Sequence, residues 1–280
     1  GKVISYISKW VEHNWVECLL TDYQLHGDTW LNEDLELIKE LGFDTIRIFI
    51  PYGSTDSRGP FCNNSGAVKS VYLLNLLDIT RKAALRGLKI SPVLFAWRDS
   101  QQTGEDKYSR DNQAKQLTYF NSVYETLFNE PNIAYVSLEN EINYEPNGFW
   151  SQGQDAINMV IDWLRRMSKV HRDIMAWRLK KDDLPPWPLG VGISDVNSDW
   201  MNDWEQRPRS YDSGGVLVWE EGRLIEQIDV LLVHCYNPGT DSSGHGALEN
   251  GIYHMRQMGM TKPIIIEEIP YQVNKTFLIE

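Results

Sequence analysis

The stretch Asn132–Pro146, NIAYVSLENEINYEP, carries an apolar β-type run from Ile133 to Leu138 straight into Glu139-Asn140-Glu141-Ile142-Asn143. Carboxylates and amides crowded at the end of a buried strand are costly to desolvate, so such a cluster points to a site. In α/β proteins the C-terminal ends of parallel strands carry the chemistry. A second stretch of the same kind, Lys262–Tyr271 (KPIIIEEIPY), lies further along the chain. Two apolar strands that each end in Glu suggest a pair of carboxylates facing one another.

Working outward, the chain alternates strand-like and helix-like segments. Val3–Ile7 reads as a short strand, and the run near Trp15–Leu20 as a second β-like piece. Leu31, Leu35, Ile38 and Leu41 recur at helical spacing after Asp28-Thr29, which can cap a helix. Strands are then expected at Thr45–Ile50, Lys89–Phe95, Ile133–Leu138, Gly190–Ile193, Ile228–Val233 and Ile264–Ile266. Helices are expected at Leu73–Leu85, about Leu117–Leu127, Ile157 to about Lys180 and Leu248–Met258, with a weak one at Gly222–Gln227. Gly42, Gly87 and Gly259 fall where a left-handed residue closes a helix.

Strands separated by helices require parallel crossovers, and their number favours a (β/α)8 TIM barrel over an open sheet. The long loops after Pro51, Ala96, Asn143, Ser194 and Asn237 all belong to one end of such a barrel, where they build a cleft. No repeat or linker divides the 280 residues, so a single domain, 1–280, is expected. Strand eight is not evident after Glu268. The barrel lacks it, or Val3–Ile7 supplies it from the other terminus, or that strand plugs the floor. Closing a barrel abolishes two exposed edges, which favours the second arrangement.

Composition removes several function classes. A net charge of −12 and a pI near 5.0 argue against nucleic acid and anionic membrane surfaces as partners. Apolar runs such as Ile228–Val233 are far too short to span a bilayer. Three scattered cysteines, Cys18, Cys62 and Cys235, make neither a disulfide framework nor a zinc ligand set. His13, His26, His171, His245 and His254 have no metal-like spacing, so neither metal nor organic cofactor is expected. Eleven tryptophans are the unusual feature.

The strand-ending residues resemble those of the clan of retaining glycoside hydrolases built on (β/α)8 barrels, most of all the family 5 cellulases and mannanases. The resemblance covers roughly Leu31 to Tyr271. Asn140-Glu141 matches the clan's Asn-Glu pair at the end of strand four, which implies Glu141 as general acid/base. Glu268, in Ile265-Ile266-Glu267-Glu268-Ile269, matches the nucleophile of strand seven. Arg47 corresponds to an arginine on strand two, and His234-Cys235-Tyr236 to a His-x-Tyr on strand six. The resemblance implies that Arg47 and Tyr236 keep Glu268 ionised and aimed, and that Asn140 binds the sugar 2-hydroxyl. A retaining enzyme needs its two carboxyl groups about 5–5.5 Å apart, one to attack and one to protonate the leaving oxygen.

Other residues compete for these roles. Asn129-Glu130-Pro131 spells the Asn-Glu motif more literally, but it precedes its strand and reads as a helix end and turn on the barrel floor. Glu139 shares strand parity with Glu141 and reads as a structural partner for a cation. Glu267 and Glu268 are adjacent, so alternation should turn them to opposite faces, and the resemblance selects Glu268. Trp163 and Trp177 lie on the long helix and read as packing residues. Trp97, Trp150, Trp200, Trp204 and Trp219 fall on loops of the expected cleft, where rings could stack on sugars, with Trp97 and Trp150 the strongest candidates.

Two departures from the family stand out. Phe95-Ala96-Trp97-Arg98-Asp99 lacks the histidine that family 5 enzymes often carry after strand three, and no Trp follows Glu268. Trp10 would fill the second role if the N-terminal strand closes the barrel. The expected function is hydrolysis of a β-linked polysaccharide or oligosaccharide of the endo-β-1,4-glucanase or β-mannanase type, by a secreted or periplasmic monomer. An exo-acting β-glucosidase or β-galactosidase, and a non-catalytic carbohydrate-binding barrel, are the alternatives.

Overall fold

Seven parallel strands lie side by side in one sheet: β1 (Val3–Ser5), β2 (Thr45–Phe49), β5 (Lys89–Phe95), β6 (Val136–Glu139), β7 (Leu189–Ile193), β10 (Val230–His234) and β11 (Ile264–Glu268). The computed structural model from which this sheet is taken describes residues 2–5, 19–50, 52, 55–56, 59–96, 107–143, 153–193, 205–234 and 247–268. Each strand pairs with the next in chain order, and β1 and β11 approach one another again at the ends. The sheet is therefore a nearly closed (β/α)8-type barrel.

The N-terminal strand is hydrogen-bonded to β2, with Ser5 opposite Arg47, and stands beside β11, with no backbone ladder between them among the described residues. It is the first strand of the barrel and one end of the sheet, not an added eighth strand. A separate eighth strand is not seen among the described residues.

Helices α1 (Leu19–Glu40), α2 (Ser70–Leu85), α3 (Gln113–Leu127), α4 (Gln154–Asp182) and α5 (Ala247–Gln257) lie between successive barrel strands. Helices packed outside the sheet and side chains inside it bury both faces. Accordingly β7 and β10 are buried along their whole length, as is β5 after Lys89. Gly42, Gly87 and Gly259 adopt φ of 81°, 69° and 91° as expected, and the residue after each donates its N–H back into the last turn.

Three local features differ from the expectation or add to it. The run near Trp15–Leu20 does not end as a strand, because Leu19 and Leu20 are helical and buried, while 15–18 lie outside the described residues. A short apolar run has the same pattern in a buried helix turn as in a strand. Gly27, at φ 73° and ψ −167°, interrupts α1, so the helix foreseen from Asp28 onward is its second part. Between β7 and β10 the described residues hold no α-helix: there is an antiparallel hairpin, β8 (Arg209–Tyr211) with β9 (Leu217–Glu220), and a 3-10 turn at Leu224–Gln227. A smaller ladder joins β3 (Thr55–Asp56) to β4 (Gly59–Pro60).

Trp163 on α4 is a packing residue, fully buried, edge-on to Phe95, with Nε1 donating to Gln116 Oε1 at 3.0 Å. Trp177 packs on Phe128 while staying half exposed. Glu130 of the literal Asn-Glu-Pro sits beyond α3, paired with Arg81 at 3.0 Å, a helix-end role on the side opposite the strand termini.

Candidate active site

Arg47 is the centre on which the site is built. An arginine in the middle of an apolar strand must find carboxylates, since a bare buried cation is prohibitively costly. Its guanidinium is fully buried. Nε pairs with Glu267 Oε2 at 3.0 Å, Nη1 donates to Glu268 Oε1, and Nη2 donates to Asn140 Oδ1. Burial opposes the charge, but Glu267 and Glu268 outweigh it, so Arg47 stays cationic.

The Asn140-Glu141 pair is placed by two backbone bonds that follow the end of β6. Asn140 N–H donates to Phe95 O at 2.9 Å, and Ile142 N–H to Gly192 O at 3.0 Å. Gly192 is required there, because a Cβ would overlap the Asn140 carbonyl. The regular strand stops at Glu139, so alternation no longer binds the next two residues, and both side chains reach the barrel centre. Glu139 itself is fully buried and pairs with Lys107 Nζ at 2.9 Å, the cation partner that its parity suggested.

His234, at the end of β10, joins the two carboxylate strands. Its Nδ1 lies 3.0 Å from Glu141 Oε1 and 3.9 Å from Glu268 Oε2, and its Nε2 lies 3.3 Å from Glu267 Oε2. Burial alone would keep the ring neutral. The charge of Glu268 and the bonds to Glu141 and Glu267 prevail, also over the repulsion of Arg47, and lift its pKa to about 9. The ring is thereby held toward its protonated form, in which both nitrogens donate.

One atom each from Glu141, His234 and Glu268 lies within 4.8 Å of the other two. A divalent cation could be held at such a spacing. Here, however, Arg47 bonds to Glu268 and His234 Nδ1 to Glu141, so these groups already satisfy one another. They set two carboxyl groups close together, Glu268 against Arg47 and Glu141 beside His234.

Adjacent Glu267 and Glu268 do not face opposite ways. Val233 pairs with Ile266 but His234 pairs with Glu268, so Glu267 is the extra residue of a β-bulge. The bulge breaks the alternation and turns both carboxylates to Arg47. Tyr135 completes the base of the cluster, donating its hydroxyl to Glu267 Oε1 at 2.8 Å. Burial first, and then the Glu267 charge, hold that phenol well above its ordinary pKa. From sequence Glu267 is only the rival of Glu268, set on the opposite face, and Tyr135 is not singled out: nothing in Glu-Glu announces a bulge.

The structure thus brings Arg47, Asn140, Glu141, His234 and Glu268 together. Tyr236, Trp97, Trp150 and Trp10 lie outside the described residues, as do Trp200 and Trp204. The expected neighbourhood of Trp10 and Glu268 is therefore not part of the description. Trp219 stands on the exposed hairpin.

No protein-family model matches the chain, and no curated protein matches it. Solved structures do. An exo-β-1,4-mannosidase from an Opitutaceae bacterium shares 16% identity over 99% of this chain, with a TM-score of 0.55. A glycoside hydrolase family 5 enzyme from Prevotella bryantii shares 14% over 96% at a TM-score of 0.63, and a β-glucosidase from Exiguobacterium marinum 15% over 96% at 0.58. The chain spans 53% of the first of these proteins and 75% and 77% of the other two. The barrel fold is the one these glycoside hydrolases share.

Proposed function

We propose that this protein is a retaining glycoside hydrolase acting on a β-linked glucan or mannan. The observation that carries the reading is that carboxylate oxygens of Glu141 and Glu268 come within 4.8 Å of each other, with Arg47 bound to Glu268. That separation suits direct attack by one carboxylate better than the wider gap needed to admit a water between them. The barrel shared with family 5 enzymes adds to it.

In the first step Glu268 attacks the anomeric carbon, the glycosidic C–O bond breaks, and Glu141 gives its proton to the departing oxygen. The ester neutralises Glu268, and Glu141, now a carboxylate, takes a proton from water. The water oxygen attacks the anomeric carbon and Glu268 leaves with the electron pair of the ester bond. Asn140, whose Oδ1 is held by Arg47, would offer its NH2 group to the 2-hydroxyl.

Glu268→Ala should lower turnover of an aryl β-glycoside by about 10⁴-fold or more, the order expected when a group acting as a unit with others is lost. Azide should then restore turnover and give the glycosyl azide of inverted configuration. Full activity without azide would overturn the assignment. An exo-acting enzyme is the second reading, favoured by an exo-mannosidase and a β-glucosidase among the similar structures. Monosaccharide as the only product from a tetrasaccharide would select it.

A further inference from the structure

The bulge in β11 spends an extra residue to bring a second glutamate, Glu267, into a barrel centre that the two-carboxylate mechanism already fills. Glu267 is buried and has three polar partners: Arg47 Nε at 3.0 Å, His234 Nε2 at 3.3 Å and the Tyr135 hydroxyl at 2.8 Å. None of these contacts is with the space between Glu141 and Glu268. A carboxylate bonded to Nε2 favours the protonated ring, in which Nδ1 also carries a proton to donate.

We propose that Glu267 is a positioning residue: it clamps Arg47 by Nε and His234 by Nε2, so that Arg47 presents both Nη groups to Glu268 and Asn140 while His234 presents Nδ1–H to Glu141. The catalytic part of this inference rests on Glu141 and Glu268 being the acid/base and nucleophile. The clamp itself does not.

The geometry gives each contact a consequence. A guanidinium is a rigid plane, so an ion pair at its Nε edge bears on the direction of both Nη groups. Glu267 opposes two buried cations, and without it Arg47 and a protonated His234 would stand 3.4 Å apart with less compensation. Among the described residues the charged and titratable groups facing His234 are Arg47 from β2, Glu141 after β6, and Glu267 and Glu268 from β11, with Tyr135 acting through Glu267. Of these, Glu267 is the one carboxylate bonded to Nε2.

The test is a ¹⁵N titration of the histidine rings in the full chain, with Glu267→Gln and Tyr135→Phe as variants. Gln keeps the shape and removes the charge. The His234 midpoint should fall by roughly one pH unit or more, the shift typical of losing an adjacent opposite charge. Tyr135→Phe takes a donor from Glu267 and concentrates its charge, so the midpoint should rise. Opposite signs in the two variants are not what a general loosening of the core would give, and Tyr135→Phe serves if Glu267→Gln does not fold. A His234 midpoint that neither variant moves would overturn the proposal, whatever the activity of the protein. If hydrolysis occurs, Glu267→Gln should also move the alkaline limb of kcat/KM to lower pH on an oligosaccharide. A wild-type protein without glycosidase activity but with these His234 shifts would refute the catalytic reading and leave the clamp standing.

Discussion

Single residues decide this site, and two of them show opposite limits of sequence reading. Glu139 was legible: its parity, one step inside Glu141, put it in the interior and demanded a cation, and Lys107 meets it there. Glu267 was not legible. Strand alternation assigned it to the outer face, and only a bulge, which depends on how β10 and β11 register, turns it inward. Gly192 is a third case, a small residue in a short strand whose need for a bare Cα appears only when Asn140 lies against it. Gly192→Ala should force the Asn140 backbone away and carry Glu141 with it. Misplacement of a catalytic group by about 1 Å costs roughly 100-fold, so kcat/KM on an aryl β-glycoside should fall by that order. Unchanged kinetics in a folded Gly192→Ala protein would mean that the β6–β7 contact does not position the pair.

Elements were legible wherever period and punctuation agreed. The strands at Thr45, Lys89, Val136, Leu189, Val230 and Ile264 and the helices between them follow from apolar runs and closing glycines. The sites of failure share a cause. Leu19–Leu20 is apolar without period, and the β8–β9 hairpin is mostly exposed, with Val216, Leu217, Val218 and Trp219 all open to solvent. The hairpin has no buried face to impose a pattern, and Leu19–Leu20 is too short a buried run to show one. The hairpin is tied instead by polar bonds, Asn158 on α4 to the backbone of Arg209 in both directions and Arg209 to Glu220 across the ladder. Such bonds belong to tertiary structure and leave no period behind.

At the scale of the whole molecule, two buried histidines should set the pH dependence of stability from opposite sides. His171 lies between Trp187 O at 2.9 Å and the Tyr124 hydroxyl at 2.6 Å. Burial depresses its pKa from 6.5 to about 4, although the Trp187 carbonyl favours the charged form. Its contribution is therefore present above pH 6.5 and lost as pH falls towards 4. His234 is raised from 6.5 to about 9, so its contribution is present below pH 6.5 and lost as pH rises through 9. Each shift corresponds to about 3 kcal/mol at most. Urea midpoints should peak near pH 6.5 and decline on both sides. A midpoint that stays level from pH 6.5 to 9 would show that His234 is not held charged by its carboxylates.

The central claim is that Glu268, and not its neighbour in the bulge, forms a bond to sugar. A 2-deoxy-2-fluoro aryl β-glycoside tests it most directly, because the fluorine slows hydrolysis of the glycosyl ester more than its formation when the leaving group is good. Incubation with the glucosyl and mannosyl reagents, followed by fragmentation of the labelled peptide, reads the site of attachment. Nucleophilic attack by Glu268 predicts one sugar per chain, attached at Glu268 and absent from the Glu268→Ala protein. A sugar found on Glu267 or Glu141, or turnover of the natural substrate with no covalent adduct from either reagent, would contradict it.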